Sequence, residues 1–572
     1  MDRKNHIAYF TMEIGVEDGI PTYSGGLGIL AGDMVRSAAD LEVPMVALTL
    51  LHRKGYFRQK LDISGTQIEE PVVWPVSEML IETEARCSVE IEERTVHLRA
   101  WKREVKGVNG YVVPVFFLDA ALRENSEWDR TLTDYLYGGD EHYRLCQEII
   151  LGIGGVRMLR ALGYREIKRY HMNEGHAALL TLELAHELAR KAWELAYEPV
   201  RQVVTPELIH LIKPMCVFTT HTPVPAGHDK FPLDLVHRVL TDYHGAFGER
   251  EKEYCPEGML DLTSLAVDNS HYINGVAKRH GKVTQRMFQE HKIDFITNGI
   301  HVATWASQHV ASLFDQYIPG WREDNTSLRH AINISTQEIW QAHRRAKVEL
   351  VDQINRNIAA GLDFDTFTLA FARRMTTYKR PELLFQDSAR LVEIAEKSGD
   401  MQIIYAGKAH PNDQQGKDII RHLYQIKEAL RGKLRIVYLE NYSINLARSL
   451  VAGVDLWLNT PQPPLEASGT SGMKAAINGV PSLSELDGWW VEGCIEGVTG
   501  WAISQDHGLE ELDRRAMDAQ SLYSKLETTI IPMFYNEQDR YAEVMRSAIA
   551  LNGSFFNTER MLNQYVAKAY FK

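Results

Sequence analysis

Glu466-Ala467-Ser468-Gly469-Thr470-Ser471-Gly472-Met473-Lys474 lies between the apolar run Val454–Leu458 and the helix-forming Met473-Lys474-Ala475-Ala476-Ile477. Strand, polar turn and helix in that order form the repeating unit of a parallel α/β layer. Five of the nine residues are Gly, Ser or Thr, so the backbone can turn sharply and aim several N–H groups at one point. The positive end of the following helix adds to them, which makes the turn a place for an anion. A lysine at the start of such a helix can contact a phosphate or, where neighbours destabilise its ammonium, form a Schiff base with an aldehyde cofactor. A plain strand–turn–helix connection has the same composition, so the neighbouring stretches decide.

The unit recurs on both sides. In the C-terminal half, Phe367–Phe371 runs into Ala372-Arg373-Arg374-Met375-Thr376-Thr377-Tyr378-Lys379-Arg380-Pro381, Gln402–Tyr405 into Ala406-Gly407-Lys408-Ala409-His410-Pro411, and Arg435–Leu439 into Glu440-Asn441-Tyr442. Near the N-terminus, Ile7–Thr11 reads as a buried strand. Ser24-Gly25-Gly26-Leu27-Gly28 then opens a helix through Leu30, Met34 and Ala38, and Val43–Leu51 completes a strand–helix–strand unit. Glycine turns at such places bind phosphates, although close packing is the plainer account of a lone GGLG. From about Asp62 to Asp119, charged and β-branched residues alternate and predict an antiparallel insertion of structural role.

Tyr135–His210 reads as mostly helical, broken by Arg169–His176, which puts Asn173, Glu174 and His176 at the carboxyl edge of a strand. His171, Glu174 and His176 lack the spacing of a helical metal pair, and contacts to a sugar fit them better. Cys216–Pro223 delivers His221 into a Pro-broken loop, and Asp294–Ile300 delivers Asn298. Three strand ends thus offer hydrogen-bonding groups with few charges, as a polyol requires. Ser335-Thr336-Gln337-Glu338 is a capping box ahead of a helix through Ile339, Ala342, Ala346, Leu350 and Ile354, which ends near Gly361 and sets a domain boundary around 300–330.

With 572 residues the chain exceeds one hydrophobic core, so two domains are expected. A net charge of −13 argues against nucleic acid and anionic membrane surfaces as partners. Cys87, Cys146, Cys216, Cys255 and Cys494 are odd in number, far apart and form no CxxC pair, so reduced buried thiols are expected and not a disulfide framework or a zinc site. No secretory signal or long apolar span follows Met1-Asp2-Arg3-Lys4-Asn5-His6, so a cytoplasmic location is expected.

Arg373, Arg374, Lys379 and Arg380 put four cations within eight residues at a strand exit. They repel one another unless an anion neutralises them, and guanidinium holds phosphate oxygens in pairs. A solvated basic face is the alternative. Beside the turn at Thr470–Gly472, the cluster makes room for two phosphates.

These motifs together resemble the α-glucan phosphorylases, the family that acts on glycogen, starch and maltodextrin. EASGTSGMK resembles the family's cofactor segment EASGTGNMK, and RRMTTYKR its phosphate-binding segment; SGGLG, Thr220-His221-Thr222, Thr297-Asn298-Gly299 and Asn173-Glu174-Gly175-His176 match four more segments in the same order. The resemblance implies two Rossmann-like domains facing across a cleft, the GT-B-type glycosyltransferase fold. Residues 1–305 would be an N-terminal glucan-binding domain carrying the β insertion at about 62–119, and 306–552 a C-terminal pyridoxal-phosphate domain. Residues 553–572, with the amphipathic helix capped at Asn557-Thr558-Glu559-Arg560, would cross back to the first domain.

It also implies the activity, reversible phosphorolysis of the non-reducing end of an α-1,4-glucan to α-D-glucose 1-phosphate with retention. Pyridoxal 5′-phosphate would form a Schiff base to Lys474, with its phosphate at Thr470, Ser471 and Arg373. Arg374, Lys379 and His221 would join Lys474 as catalytic residues. Substrate would touch Gly25, Gly26, Asn298, Glu466, Ser468, Gly469 and Tyr378, and at the acceptor end Asn173, Glu174 and His176. The partners implied are the glucan, orthophosphate and glucose 1-phosphate, with neither nucleic acid nor membrane; the family is commonly dimeric, which leaves a homodimer open. Beginning almost at its first strand, the chain would be a short form without the N-terminal extension that carries phosphorylation and nucleotide control.

Three departures stand out: Thr376-Thr377 replaces His-Glu, Ser471-Gly472 replaces Gly-Asn, and Ser443 replaces an Arg after Tyr442. A lost cation near the cofactor phosphate weakens its grip, and Arg373 is placed to compensate. A nucleotide-sugar glycosyltransferase of the glycogen synthase kind shares the architecture and an Arg…Lys pair, but has no need of Lys474. An amino-acid pyridoxal enzyme needs an acidic partner for the pyridinium, which no stretch supplies, and a non-catalytic glucan-binding protein has no need of two phosphate loops.

Overall fold

The computed structural model describes residues 4–196, 206–224, 227–243, 254–504 and 511–571. Residues 197–205, the part of the predicted helical region just before Pro206, lie outside them.

Two large sheets carry the fold. The first contains β1 (Lys4–Thr11), β2 (Met45–Leu50), β5 (Ile81–Ile91), β6 (Arg94–Lys106), β7 (Val112–Asp119), β8 (Glu166–Asn173), β9 (Cys216–Thr219), β12 (Tyr272–Gly275) and β13 (Ile293–Phe295), in the order β13-β12-β9-β8-β1-β2-β7-β6-β5. A hairpin of β3 (Arg58–Leu61) and β4 (Gln67–Glu70) and a ribbon of β10 (Lys230–Pro232) and β11 (Met259–Asp261) stand apart from it. The second sheet orders β16 (Arg435–Leu439), β15 (Met401–Ala406), β14 (Phe367–Ala372), β17 (Leu456–Asn459), β18 (Ser482–Ser484) and β19 (Gly500–Ala502), all parallel. Strands such as Phe367–Ala372 are buried at every residue, which is why they read as nearly continuous apolar runs, here with Thr368 as the one polar member.

Chain order reverses between β14 and β17 in the second sheet and between β1 and β8 in the first. Loops leaving neighbouring strands diverge at such points and open a crevice at the carboxyl edge, where open α/β sheets hold ligands. The stretches Arg373–Arg380 and Thr460–Lys474 leave one of these points.

The predicted insertion needs correction. β7 pairs in parallel with β2, and β6 and β5 follow antiparallel, so most of 62–119 is the edge of the first sheet itself. The antiparallel pattern is real, but the shared backbone ladder with β2 was invisible in it.

One core gathers apolar residues from Ile300 to Phe556, and two others cover the faces of the first sheet. In one of these, Met561, Leu562, Tyr565, Ala569 and Tyr570 pack beside Ile7, Tyr9 and the helix Gly26–Asp40. Asn557 caps the helix Thr558–Tyr565 by accepting from Arg560 N at 2.9 Å. Arg560 in turn donates to the carbonyls of Thr297 and Asn298 at 2.7 and 3.0 Å, fixing the loop that carries Asn298. The capping box also forms: Ser335 accepts from Glu338 N, and the helix runs Thr336–Ile358. Among the described residues no helix is long and apolar enough to cross a membrane.

Candidate active site

Loops from both sheets meet at a cavity of about 310 Å³. Gly25, Gly26, His221, Asn298, Arg373, Arg374, Tyr378, Lys379, Glu466, Ser468, Gly469, Thr470, Ser471 and Lys474 line it, which brings together all but three of the residues singled out from sequence.

The turn after β17 is built for an open helix end. Gly469 is the N-cap with φ +86°, a left-handed conformation that favours glycine, and it supplies no side-chain cap to the helix Thr470–Ile477. The first N–H groups of that helix therefore face the cavity side without a carboxylate. Ser468 Oγ is buried without a partner. Ser471 Oγ accepts from Trp457 Nε1 at 3.2 Å, and a Cβ on Gly472 would come within 2.9 Å of Trp489. The Ser471-Gly472 departure thus fits its own surroundings, with an indole donor for the serine and an indole edge against the glycine.

Lys474 is buried and its Nζ lies 3.8 Å from the centre of the Trp305 ring. Burial lowers its ammonium to a pKa of about 8, Asp33 opposing and Arg36 assisting. It forms no ion pair among the described residues. A lysine poised in this way is nucleophilic near neutral pH and suits an aldehyde.

The four cations at the exit of β14 have different fates. Lys379 Nζ and Arg373 Nη2 approach Glu466 Oε2 at 2.6 and 2.8 Å. Burial would raise the Glu466 carboxyl, but these two cations outweigh it and hold it below the usual range. Arg380 is buried against Glu485 at 2.6 Å and Asp518 at 2.7 Å and donates to the carbonyls of Thr460 and Pro461, so it belongs to the packing and not to a ligand. The expectation that all four wait for an anion is therefore corrected: remote carboxylates serve three of them. Arg374 has neither ion pair nor hydrogen bond among the described residues and opens onto the cavity, with its Nη2 3.4 Å from where a Cβ on Gly25 would stand. Arg373 keeps Nε and Nη1 buried and unpartnered. An unpaired guanidinium and two orphaned donors beside an uncapped helix end fit a phosphate, and Lys474 next to them fits a phosphate-bearing aldehyde.

The glycine turn differs from its expected role. Glu13, just past β1, accepts from Ser24 N and, at 3.2 Å, from Gly25 N, and it also takes Tyr137 OH at 3.0 Å. The Gly25 N–H is therefore spent within the protein. Gly26 remains: a Cβ there would meet nothing within 4 Å, so its backbone borders open cavity.

On the sugar side, burial lowers His221 to a pKa of about 3, with His280, His171 and His176 assisting, so the ring is neutral. Asn173 Nδ2 donates to Thr11 Oγ1, which leaves Oδ1 to accept from His221 Nε2 at 2.7 Å. His221 Nδ1 is then an acceptor for a ligand. Asn298 Oδ1 is buried and unpartnered.

Asn173, Glu174 and His176, expected at the acceptor end, do not line this cavity. Glu174, at φ +80°, turns its carboxylate to His221 N at 2.7 Å and Thr222 Oγ1 at 3.0 Å, and Asn173 backs the same histidine. His176 pairs with Asp229 at 3.3 Å. They support the histidine from behind, a layer that sequence order does not reveal. His171 is likewise interior, held by Tyr570 OH and Thr219 Oγ1 at 2.7 and 2.8 Å. Sequence reasoning missed Glu13, Lys408, Tyr56 and Trp305, three of which line the cavity while Glu13 backs it. The only signal for Glu13 was an acid two residues beyond a buried strand, and Lys408 sat in a quoted turn with nothing to mark it.

A cavity that holds a buried lysine and an unpaired guanidinium at the carboxyl edges of a mixed and a parallel sheet narrows the class, and the comparisons with known proteins identify it: the chain belongs to the carbohydrate phosphorylase family. The family described as carbohydrate phosphorylase matches residues 250–527. Among its relatives are a maltodextrin phosphorylase of Thermococcus litoralis, 39% identical over 99% of this chain and 70% of the relative, and a glycogen phosphorylase of Aquifex aeolicus, 33% identical over 100% and 86%. An uncharacterized protein of Methanocaldococcus jannaschii is 30% identical over 98% of this chain and 99% of its own length.

Proposed function

We infer that the chain is an α-glucan phosphorylase, cleaving the terminal α-1,4 bond of glycogen, starch or maltodextrin with orthophosphate to give α-D-glucose 1-phosphate. The observation that carries this reading is a buried, carboxylate-free Lys474 sharing one cavity with the unpaired Arg374. A nucleotide-sugar glycosyltransferase has no use for such a lysine. The strand orders of the two sheets support a GT-B-type division into 1–305 and 306–552, with 553–572 returning to the first part.

In this reading Lys474 carries pyridoxal 5′-phosphate, whose phosphate supplies a second acid–base group beside the substrate's. Thr470 and Ser471 N–H and the unpartnered Arg373 donors would hold that phosphate. Arg374 and Gly26 N–H hold orthophosphate, and Lys379 moves from Glu466 onto it. Glu466, freed of Lys379 and still held by Arg373, accepts from a glucose hydroxyl alongside Ser468 and Gly469, while His221 Nδ1 and Asn298 orient the ring. Tyr378 packs beside Lys379, 4.4 Å from Nζ to ring centre. Orthophosphate gives its proton to the departing glycosidic oxygen as the C1–O bond breaks, and one of its oxygens then bonds C1 on the same face. Retention follows from that single face. The charge developing at C1 is met by the phosphate dianion, which Arg374 positions.

The test is to purify the protein, record pyridoxal absorbance, and assay glucose 1-phosphate from maltodextrin plus phosphate. Absorbance that vanishes in Lys474→Ala and product from the unaltered protein are expected; a colourless protein that releases no glucose 1-phosphate ends the reading.

A further inference from the structure

Lys408 lines the cavity, yet nothing in the reaction uses it. Its Nζ donates to the carbonyl of Phe57 at 2.8 Å and lies 5.1 Å from that residue's ring centre, and it has no carboxylate partner among the described residues. Burial lowers it to about 8, Asp18 opposing only in part. A half-buried ammonium with one of three donors used is costly to keep, and a phosphate would remove that cost.

Its loop is held from the other sheet's side by two glutamines of the β3–β4 hairpin. Both are buried. Gln67 Nε2 donates to Ala409 O at 3.0 Å while its Oε1 accepts from Ala409 N at 3.0 Å, which pins both backbone groups of one residue. Gln59 Nε2 donates to Gln67 Oε1 and to Gly407 O, both at 2.9 Å, and its Oε1 accepts from Asn441 N at 3.0 Å. The amides bracket Lys408 on both sides. The bracketed loop also lies on the anion site: Arg373 N donates to Ala406 O at 3.1 Å and Met375 N to Lys408 O at 3.0 Å, and a Cβ on Gly407 would stand 1.9 Å from Arg373 O. Such a loop cannot shift without moving Arg373 and Arg374.

We propose that Lys408 is a further phosphate-binding residue and that Gln59 and Gln67 are its positioning residues, an amide clamp that sets the Lys408 loop against the Arg373–Met375 turn. The proposal rests on the phosphorylase reading. Ser443 stands where the family pattern has an arginine, so Lys408 restores a cation on that side of the cavity.

The test uses the cofactor-loaded protein. Lys408→Met is expected to raise the phosphate KM about tenfold, one charge-assisted contact, with the glucan KM within about twofold; Lys408→Arg recovers most of the loss. Gln67→Met raises the phosphate KM in the same direction, and the two changes together add less than their product, because both act through one ammonium. Two further arms separate the phosphates: fluorescence titration of the cofactor-free protein with pyridoxal phosphate, and the rise in its thermal midpoint with orthophosphate alone. A shift in the first assigns Lys408 to the cofactor's phosphate, and in the second to the substrate's. If Lys408→Met leaves the phosphate KM and both arms within about twofold of the parent, the proposal is overturned. A parent protein making no glucose 1-phosphate defeats the phosphorylase reading instead, while the two binding arms still report on Lys408. Should Gln67→Met fail to fold, the Lys408 variants decide alone.

Discussion

Two glycine-bearing turns border the same cavity, one after β1 and one after β17, and they solve opposite problems. At Ser24–Gly28 a carboxylate from the protein, Glu13, occupies two backbone donors, and a Cβ on Gly28 would stand 2.7 Å from Glu13 Oε2. At Ser468–Gly472 the cap is a left-handed glycine, no side chain serves the helix end, and Ser468 Oγ has no partner. The first turn is filled from within as far as Gly25, and Gly28 makes room for the filler. The second is shaped for a ligand. Glycine content marks where a backbone turns sharply; only the position of remote carboxylates says whether the turn has donors to spare.

The comparison breaks most visibly at Lys474. Lys474→Ala is expected to abolish both pyridoxal absorbance and glucose 1-phosphate formation, since no other residue stands at that turn with a lowered ammonium. Retained colour would move the anchor to another lysine and remove the second turn's claim to a cofactor.

The basic stretch sharpens the same lesson at side-chain level. Arg380→Ala strands Glu485 and Asp518 in the interior and is expected to cost about 3–5 kcal/mol of stability, read as a fall in the unfolding midpoint. Arg374→Ala leaves no protein group unpaired and is expected to spare that midpoint. It instead raises the phosphate KM about 30- to 100-fold, the loss of about 2–3 kcal/mol of charge-assisted bonding, with far less change for the glucan. Equal effects of Arg374→Ala on both constants would take Arg374 out of its role.

A smaller effect is expected at the filled turn. Glu13→Ala leaves the Ser24 and Gly25 donors without their acceptor, about 1–3 kcal/mol in stability or in ordering of the turn. The phosphate KM rises with it because Gly26 loses its fixed place, and Glu13→Gln, which keeps an acceptor oxygen, recovers part of both. Unchanged kinetics in Glu13→Ala would mean that this turn serves packing alone.

Much of this was legible in the sequence because it depends on local pattern. Apolar runs such as Phe367–Ala372 announce buried parallel strands, and the capping box at Ser335 and the turn at Gly469 follow from residues within a few positions. What stayed hidden depends on pairs far apart in the chain. Arg374 and Arg380 are indistinguishable until Asp518 and Glu485 are brought beside one of them. Asn173 and Glu174 sit at the expected strand end, yet the β8–β9 pairing puts His221 in front of them. Likewise the β5–β7 edge reads as an insertion until its ladder with β2 is seen.

The pH dependence of the cofactor-free protein gives the finest test of the open turn. Lys474 and Lys408 both stand at about 8 in the folded chain against the ordinary 10.5 of an unfolded one. Below about 8 both states hold these protons, and the burial cost is fully present. Between about 8 and 10.5 the folded chain has released protons that the unfolded chain still binds, so this pair makes stability rise with pH there. Buried tyrosines, whose pKa values burial raises, act in the opposite sense at the upper end of the window. The difference between parent and Lys474→Met isolates the lysine: the variant is expected to be the more stable below about 8, with the gap closing as pH approaches 10.5. Uptake of pyridoxal phosphate by the parent should accelerate through the same midpoint near 8. A gap that stays constant across the window, or uptake that rises only near 10.5, would mean that Lys474 is as well solvated as a surface lysine, and that the second turn is no more prepared for its ligand than the first.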